Sequence, residues 1–209
     1  MNNFTYSVPT KIHFGKGQIS HLYELSESGN KVLLCYGGGS IKKAGIYDEA
    51  VKILKEEDIE IFELSGIAPN PKIESVREGV KLCKENDIDM VLAIGGGSVI
   101  DCAKVVAAGA CYDGDPWDLV ITPRWIKKAL PIYSVLTLSA TGSEMDPFAV
   151  ISDMSKNEKW GTASEHMKPK MSILDPEYTY SVSKKQTAAG TADMISHICE
   201  NYFTNVKNA

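Results

Sequence analysis

The chain has 209 residues, of which 44% are hydrophobic and 23% are charged, and it carries a formal net charge of −5. This length is enough for one large globular domain, alone or with a small second one. The acidic balance, without a dense cluster of Lys and Arg, argues against nucleic acid as a partner. The sequence shows no membrane span and no signal-peptide pattern at its start, so we expect a soluble, cytoplasmic protein.

The five cysteines are an odd number and include no C-x-x-C pair. This pattern indicates neither a disulfide framework nor a zinc knuckle. We expect most of these side chains to be buried, reduced thiols. They are Cys35, Cys83, Cys102, Cys111 and Cys199.

Apolar strands alternate with amphipathic helices along the chain. Short strands at residues 4–8 and 12–14 are predicted to form an N-terminal β-hairpin around Pro9. Further strands are predicted at 32–36, 60–64, 90–94 and 132–136, with helices at 18–27, 41–56, 72–85 and 99–108. Strands that are apolar throughout are typical of a parallel sheet covered on both faces. The predicted fold class is α/β, a Rossmann-like parallel sheet with helices on both faces. A long helix at 184–205 follows a region of polar stretches and short strands.

The glycine run GGGS at residues 95–98 follows an apolar strand and precedes a helix. Consecutive glycines let the backbone approach a ligand closely, and the free N–H groups of a helix N-terminus bind anions. Ser98 and Asp101 are expected to cap this helix. The run therefore predicts a phosphate cradle, although glycines here could simply turn the chain from strand to helix. Because Ile100 replaces the third glycine of G-x-G-x-x-G, a nucleotide fold here would be a variant.

A second GGGS run, at residues 37–40, also lies between a strand and a helix. Proteins that prefer NAD usually place a carboxylate at the end of this strand, and residues 35–39 contain no acid. Ser40, Lys42 and Lys43 could instead bind a 2′-phosphate, which favours NADP. The alternative is that the two lysines are solvated helix residues.

Asp193 and His197 lie four residues apart in a predicted helix and therefore project from one face. A carboxylate oxygen and an imidazole nitrogen suit Fe²⁺ or Zn²⁺. Taken alone, a pair at this spacing is more often a hydrogen bond on the surface of the helix.

Three segments together resemble the iron-dependent (group III) alcohol dehydrogenases, most closely the NADPH-dependent butanol dehydrogenases. They are GGGSxxDxxK at 95–104, LSATGSE at 138–144 and DxxxH at 193–197. Segments 36–43, 115–118 and 174–178 add to the resemblance, which extends from the first predicted strand to the last residue. It implies an oxidoreductase that uses NADP(H) and Fe²⁺ or Zn²⁺ to interconvert a small aldehyde and a primary alcohol by hydride transfer.

The resemblance also implies the cofactor site. In such enzymes the first glycine loop holds the pyrophosphate, the loop at 137–141 lines the nicotinamide, and the second glycine turn meets the adenosine. The implied cofactor-binding residues are Gly38, Ser40, Gly95, Gly96, Gly97, Ser98, Asp101, Thr137, Leu138, Ser139, Thr141, Lys159 and Tyr178. Asp193 and His197 match two metal ligands, and no catalytic residue beyond these two is assigned. Ser143 and Glu144 are expected to brace the loop.

Such enzymes complete the metal site with two further histidines in a C-terminal helical domain, and this sequence ends before them. His13, His21 and His166 match neither ligand, so each is expected to be a surface or structural histidine. We therefore expect residues 1–180 to form the dinucleotide-binding domain and 181–209 the first helix of a truncated, all-helical metal-binding domain. The apolar face of 188–203 should then be exposed, and the chain alone should be inactive.

Two alternatives remain open. One is a catalytically silent NADP-binding fragment, which would bind cofactor without metal-dependent turnover. The other is a different enzyme of the same architecture, either glycerol-dehydrogenase-like or a dehydroquinate-synthase-like lyase. In each case we expect a homodimer, formed by pairing of the N-terminal strands.

Overall fold

A computed structural model describes Asn3, Thr5 and residues 7–204 of the chain. Within this part the strands are β1 (Lys11–Phe14), β2 (Lys31–Tyr36), β3 (Glu60–Leu64), β4 (Met90–Gly95), β5 (Ile132–Leu136), β6 (Phe148–Asp153), β7 (Glu158–Ala163) and β8 (Met171–Leu174). The α-helices are α1 (Ser40–Lys43), α2 (Ile46–Glu56), α3 (Ile73–Glu85), α4 (Gly97–Ala110), α5 (Pro116–Ile121) and α6 (Lys184–Tyr202). The 3₁₀ helices are Gln18–Ser28, Pro123–Trp125, Glu165–Met167 and Pro176–Thr179.

Six of the described strands form one parallel sheet, in the order β1-β8-β5-β4-β2-β3. The chain order reverses between β2 and β4, because β3 lies on one side of this pair and β5 on the other. In open α/β sheets, ligands bind beyond the carboxyl ends of the strands at such a reversal. Both glycine runs follow these two neighbouring strands, so the fold brings them to the same edge of the sheet.

The core lies on both faces of the sheet. Leu33 and Cys35 of β2 pack on the face that carries α3 and α4, whereas Val32 and Leu34 pack with α2 and the Gln18–Ser28 helix on the other. Helix α4 is the most deeply buried helix, since eleven of its fourteen residues are buried. The parallel α/β sheet with helices on both faces is confirmed.

Strands β6 and β7 form a separate antiparallel pair. The pair contacts α4 through β6 and α5 through β7. A single parallel bridge between Lys72 and Ser152 connects it to the start of α3. The pair therefore lies on the α4 side of the sheet, close to the first glycine run.

The predicted inner strands are confirmed to within one residue, but two helices differ from the prediction. The predicted helix at 41–56 is divided into α1 and α2 at Gly45, whose φ of 78° is left-handed and favours glycine. Residues Gln18–Ser28 form a 3₁₀ helix rather than an α-helix. At the N-terminus, β1 pairs in parallel with β8. Of the strand predicted at 4–8, Phe4 and Tyr6 lie outside the described residues, and residues 7–8 are not in a strand.

Helix α6 packs little against the rest of the described chain. None of its residues is buried. The helix ends at Tyr202, short of the predicted 184–205, because Phe203 and Thr204 are not helical; Asn205 lies outside the described range. The predicted exposure of its apolar residues is found at Met194, Ile195, Ile198, Tyr202 and the following Phe203. Among the described residues, no helix is both long and apolar enough to cross a membrane.

The prediction for the cysteines is confirmed for three of the five. Cys35, Cys83 and Cys102 are buried, and Cys111 and Cys199 are exposed. All five are free thiols. Burial raises the pKa of the Cys83 and Cys102 thiols to about 12, so both stay protonated near neutral pH.

Candidate functional site

The first glycine run forms a close-packed turn between β4 and α4. A Cβ at Gly97 would lie 2.5 Å from Thr141 Oγ1, and a Cβ at Gly96 would lie 3.2 Å from Leu138 Cβ. The turn thus packs directly against the loop at 137–141. The backbone N–H of Thr137 also donates a 3.0 Å hydrogen bond to the Gly95 oxygen. Glycine is required at Gly97 by this close approach of the two loops.

The predicted side-chain cap of α4 is wrong. The helix begins after Gly96, and no side chain among the described residues caps it. Ser98 Oγ instead accepts a hydrogen bond from the Asn70 N–H at 3.3 Å. Since neither Ser98 nor Asp101 caps the helix, its first N–H groups remain suited to an anion.

Asp101 ties three segments together. Its Oδ1 accepts a 2.7 Å hydrogen bond from Ser143 Oγ, and its Oδ2 accepts one of 3.0 Å from the Val150 N–H of β6. Burial raises the pKa of the Asp101 carboxyl, although both hydrogen bonds act in the opposite direction. The predicted bracing role of Ser143 is confirmed by this contact.

Glu144 braces the same region through its backbone. Its carbonyl oxygen accepts a 2.7 Å hydrogen bond from Ser172 Oγ of β8. Ser172 Oγ in turn accepts a 2.7 Å hydrogen bond from Ser134 of β5. The loop after β5 is therefore held to two neighbouring strands of the sheet.

Lys104 has a role in this region that sequence reasoning missed. Its side chain is fully buried, and its Nζ donates at 2.8 Å to Asp146 Oδ1, the Asp146 backbone oxygen and the Phe148 backbone oxygen. Burial lowers the pKa of Lys104, while the Asp146 carboxylate acts against that shift. The ammonium group thus joins α4 to the segment before β6. The only signal for it in the sequence is its place in GGGSxxDxxK.

The loop at 137–141 faces α6 across a cleft of about 260 Å³. Leu138 and Ser139 line one side of this cleft, and Thr187, Thr191 and Met194 of α6 line the other. The loop that is predicted to meet the nicotinamide is therefore next to the helix that carries the predicted metal ligands.

The second glycine turn leaves space beside Gly38, where the sequence analysis places the adenosine end of the cofactor. A Cβ at Gly38 would meet no atom within 4 Å, and Gly39 has a left-handed φ of 97°. Ser40 begins α1 directly after the turn. The turn thus leaves room for a ligand group at the carboxyl end of β2.

Lys42 is not free beside this turn. Its Nζ lies 3.7 Å from Glu63 Oε2 and 4.2 and 4.9 Å from the ring centroids of Tyr47 and Tyr36. Both tyrosine hydroxyls donate to the Glu63 carboxylate, which raises the pKa of Tyr47 to about 12. The side chain is nevertheless 46% exposed, and Lys43 is exposed as well, so both are solvated helix residues as the alternative interpretation expects. The sequence around the turn does not point to Glu63, because this residue lies in β3, the strand next to the one that the turn follows.

Two further predicted cofactor residues lie on different sides of the site. Lys159 Nζ of β7 donates a 2.7 Å hydrogen bond to Asn70 Oδ1, which places it beside the residue whose N–H contacts Ser98. Tyr178 lies instead next to α2, with its hydroxyl 3.4 Å from Glu49 Oε2. Burial raises the pKa of the Tyr178 hydroxyl well above its usual value.

Asp193 and His197 are adjacent and accessible. Asp193 Oδ1 lies 3.8 Å from His197 Nε2, and the two side chains are 63% and 65% exposed. This donor set fits part of an iron or zinc site, because it supplies two of the four or more ligands that such ions take in proteins.

Comparison with known proteins decides the family. The family model of iron-containing alcohol dehydrogenases matches residues 9–176. The chain belongs to this family. Among the similar proteins is NADH-dependent butanol dehydrogenase A of Clostridium acetobutylicum, 59% identical over 210 residues that cover 100% of this chain and 54% of that protein. NADPH-dependent aldehyde reductase YqhD of Escherichia coli is 43% identical, with the same coverage of both chains.

The solved structures of iron-containing alcohol dehydrogenases have the same fold. The crystal structure of NADH-dependent butanol dehydrogenase A from Thermotoga maritima is similar with a TM-score of 0.93 and 50% identity, over 97% of this chain and 52% of that one. The chain spans about half the length of the relatives it matches. The resemblance to the iron-dependent alcohol dehydrogenases is thus confirmed. The finer resemblance to the NADPH-dependent butanol dehydrogenases is not, because relatives named as NADH-dependent are more similar to this chain than the NADPH-dependent butanol dehydrogenase of Clostridium saccharobutylicum, which is 30% identical.

Proposed function

We propose that this chain is the dinucleotide-binding part of an NADP(H)- and metal-dependent alcohol dehydrogenase that interconverts small aldehydes and primary alcohols. The observation that carries the proposal is the meeting of the two glycine runs at the reversal of strand order between β2 and β4. The uncapped N-terminus of α4 supports pyrophosphate binding there, because its N–H groups and helix dipole favour an anion.

The second part of this proposal is that the cofactor is NADP(H) rather than NAD(H). It is supported by the lack of an acid in residues 35–39 and by the open space at Gly38, which together leave room for a 2′-phosphate. Lys43, exposed on α1 beside Ser40, supplies positive charge. The contact of Lys42 with Glu63 weakens this attraction, and relatives named as NADH-dependent share more than half of the sequence.

Asp193 and His197 would hold the catalytic metal ion, Fe²⁺ or Zn²⁺. When bound, such an ion acts as a Lewis acid on the oxygen of the aldehyde or alcohol. The residues of this chain orient the reactants, because the loop at 137–141 and α6 line opposite sides of one cleft. The loop at 137–141 would hold the nicotinamide, and Asp193 and His197 of α6 would hold the metal ion.

The test is a fluorescence titration of the chain with NADPH and NADH, followed by an aldehyde reduction assay with and without Fe²⁺ or Zn²⁺. Binding of either dinucleotide supports the nucleotide-site proposal, and tighter binding of NADPH supports the NADP(H) assignment. Absence of binding to both would contradict the proposal. Turnover that depends on metal and is abolished by Asp193→Ala would support the assignment of this residue as a metal ligand.

A dinucleotide-binding module without turnover is the second candidate function. It is favoured by the Asp193–His197 pair, because two exposed donors on one helix rarely hold a catalytic metal ion tightly. Binding of NADPH with no aldehyde reduction at saturating metal would select this candidate.

We also propose that the protein is a homodimer formed through the edge of the sheet. Strand β1 is the last strand on its side of the sheet, so one row of its backbone groups has no neighbouring strand among the described residues. Light scattering coupled to gel filtration tests this. A monomer at micromolar concentration would contradict it.

A further inference from the structure

Three potential metal ligands meet beside the edge strand β1. His13 belongs to β1, and His21 and Glu24 lie three residues apart in the Gln18–Ser28 helix. Glu24 Oε1 is 3.0 Å from His13 Nε2 and 3.2 Å from His21 Nδ1. All three donor atoms lie within 4.8 Å of one another. These residues belong to different elements from Asp193 and His197, and the proposed function makes no use of them.

The spacing of these atoms suits one tetrahedral ion. Ligands about 2.0–2.1 Å from a tetrahedral Zn²⁺ are about 3.3 Å apart, close to the two contacts of Glu24 Oε1. Two imidazoles and one carboxylate are also a donor set that zinc sites use. The fourth position would be open to water, because the three side chains are only partly buried.

The nitrogen of His13 is an unsatisfied group at this position. His13 Nε2 is a buried atom, and its contact with Glu24 lacks the geometry of a hydrogen bond, so within the described residues it has no hydrogen-bond partner. Buried polar atoms without a partner are uncommon in native structures. A cation between this nitrogen and the carboxylate would satisfy both groups.

The orientation of the Glu24 carboxylate also favours a cation. Lys11 Nζ lies 2.6 Å from Glu24 Oε2, the other carboxylate oxygen, and so leaves Oε1 to the two histidines. The Lys11 side chain is more than half exposed, so solvent screens its repulsion of an ion.

We propose that His13, His21 and Glu24 bind one Zn²⁺ ion, which fastens the edge strand β1 to the Gln18–Ser28 helix. The two imidazole rings stack at 3.6 Å between centroids with an angle of 11° between their planes. A shared ion must lie near the plane of each ring, so the more exposed His21 turns out of the stack when zinc binds. Bound zinc would join β1 to this helix, and its binding adds to the stability of the folded chain.

The test is a Zn²⁺ titration of the chelator-treated chain against a competing chromogenic chelator. It uses the variant Asp193→Ala/His197→Ala, which removes the other candidate donors. We expect one Zn²⁺ per chain, and an affinity about 100-fold lower when His21→Gln is added. His166→Gln, at an exposed histidine of another segment, is the matched control and should leave the affinity unchanged.

A second measurement separates loss of a ligand from loss of the fold. Zn²⁺ should raise the melting temperature of the parent variant and of His166→Gln, but not that of His21→Gln, whose circular dichroism should remain unchanged. Absence of Zn²⁺ binding to the parent would overturn the proposal. Equal affinity of the parent and of the His21→Gln and His13→Gln variants would also overturn it.

Discussion

Ser143 Oγ donates a 2.7 Å hydrogen bond to Asp101 Oδ1, and this contact ties the loop after β5 to helix α4. The other oxygen of the same carboxylate accepts from the Val150 N–H of β6. The sequence motifs GGGSxxD and ATGSE, which are about 40 residues apart, therefore meet at one partly buried carboxylate. Together with the hydrogen bond from the Thr137 N–H to the Gly95 oxygen, this carboxylate holds the loop after β5 next to the first glycine run.

Ser143→Ala should destabilise the chain by about 1–3 kcal/mol at pH 7, because the partly buried Asp101 carboxylate loses a donor. The effect should depend on pH. Burial holds the pKa of Asp101 above its usual 3.8, so its stabilising contribution is present below 3.8 and is lost as the pH rises through the folded-state pKa. Since the Ser143 hydrogen bond favours the ionised form, its removal raises that pKa further and enlarges the loss.

Urea unfolding of both proteins at pH 7 and at about pH 3 measures this prediction. The difference in the free energy of unfolding should be larger at pH 7 than at the lower pH. Ser26→Ala, at an exposed serine of the Gln18–Ser28 helix, is the control and should change stability little at either pH. A Ser143→Ala effect of equal size at both pH values would contradict the pKa argument.

Gly97→Ala should weaken both dinucleotide binding and folding. The new Cβ would lie 2.5 Å from Thr141 Oγ1 and 2.9 Å from Thr141 Cγ2, so the loop at 137–141 must move away from the first glycine run. Overpacking of this kind typically costs about 1–3 kcal/mol. The same titration and unfolding measurements test it.

A control variant and a double variant test whether the collision with Thr141 causes the effect of Gly97→Ala. Gly161→Ala adds a Cβ that meets no atom within 4 Å, so it should behave like the unmodified chain. Gly97→Ala/Thr141→Ala removes the colliding atoms and should recover most of the lost stability. Failure of the double variant to recover stability would show that the collision with Thr141 is not the cause.

Lys104→Met should destabilise the chain by about 1–3 kcal/mol, because it removes a fully buried donor from its three acceptors, while the partly exposed Asp146 carboxylate remains solvated. The substitution leaves Asp146 Oδ1 and two backbone oxygens without their shared donor. Hydrogen exchange should show the largest loss of protection in β6 and β7. Lys81→Met, at an exposed lysine of α3, is the matched control. Equal denaturation midpoints for the two variants would contradict the anchoring role of Lys104.

The sequence predicts the parallel sheet well because its inner strands are apolar on both faces, as β4 is throughout. It also locates both glycine turns, since the backbone needs glycine there. It does not predict the partners of polar side chains. Asp101 was expected to cap α4 locally, but its partners Ser143 and Val150 come from segments distant in the chain. Periodicity and spacing report local geometry, whereas these contacts depend on how the loops pack.

The contact between Lys42 and Glu63 gives a prediction about the choice of dinucleotide. The Glu63 carboxylate lies 3.7 Å from Lys42 Nζ, so the charge of this lysine is partly neutralised beside the second glycine turn. Glu63→Gln should release Lys42 and raise the ratio of NADPH to NADH affinity about tenfold, a change of about 1.4 kcal/mol. Adding Lys42→Ala to this variant should abolish the gain.

Fluorescence titrations of each variant with both dinucleotides measure this ratio. Glu60→Gln removes a carboxylate at an exposed position of the same strand and is the matched control, because β3 places it away from Tyr36 and Tyr47. A gain of equal size in Glu60→Gln would indicate a general effect of net charge. An unchanged ratio in Glu63→Gln, with binding of both dinucleotides retained, would show that the Glu63–Lys42 contact stabilises the turn without selecting between the two dinucleotides.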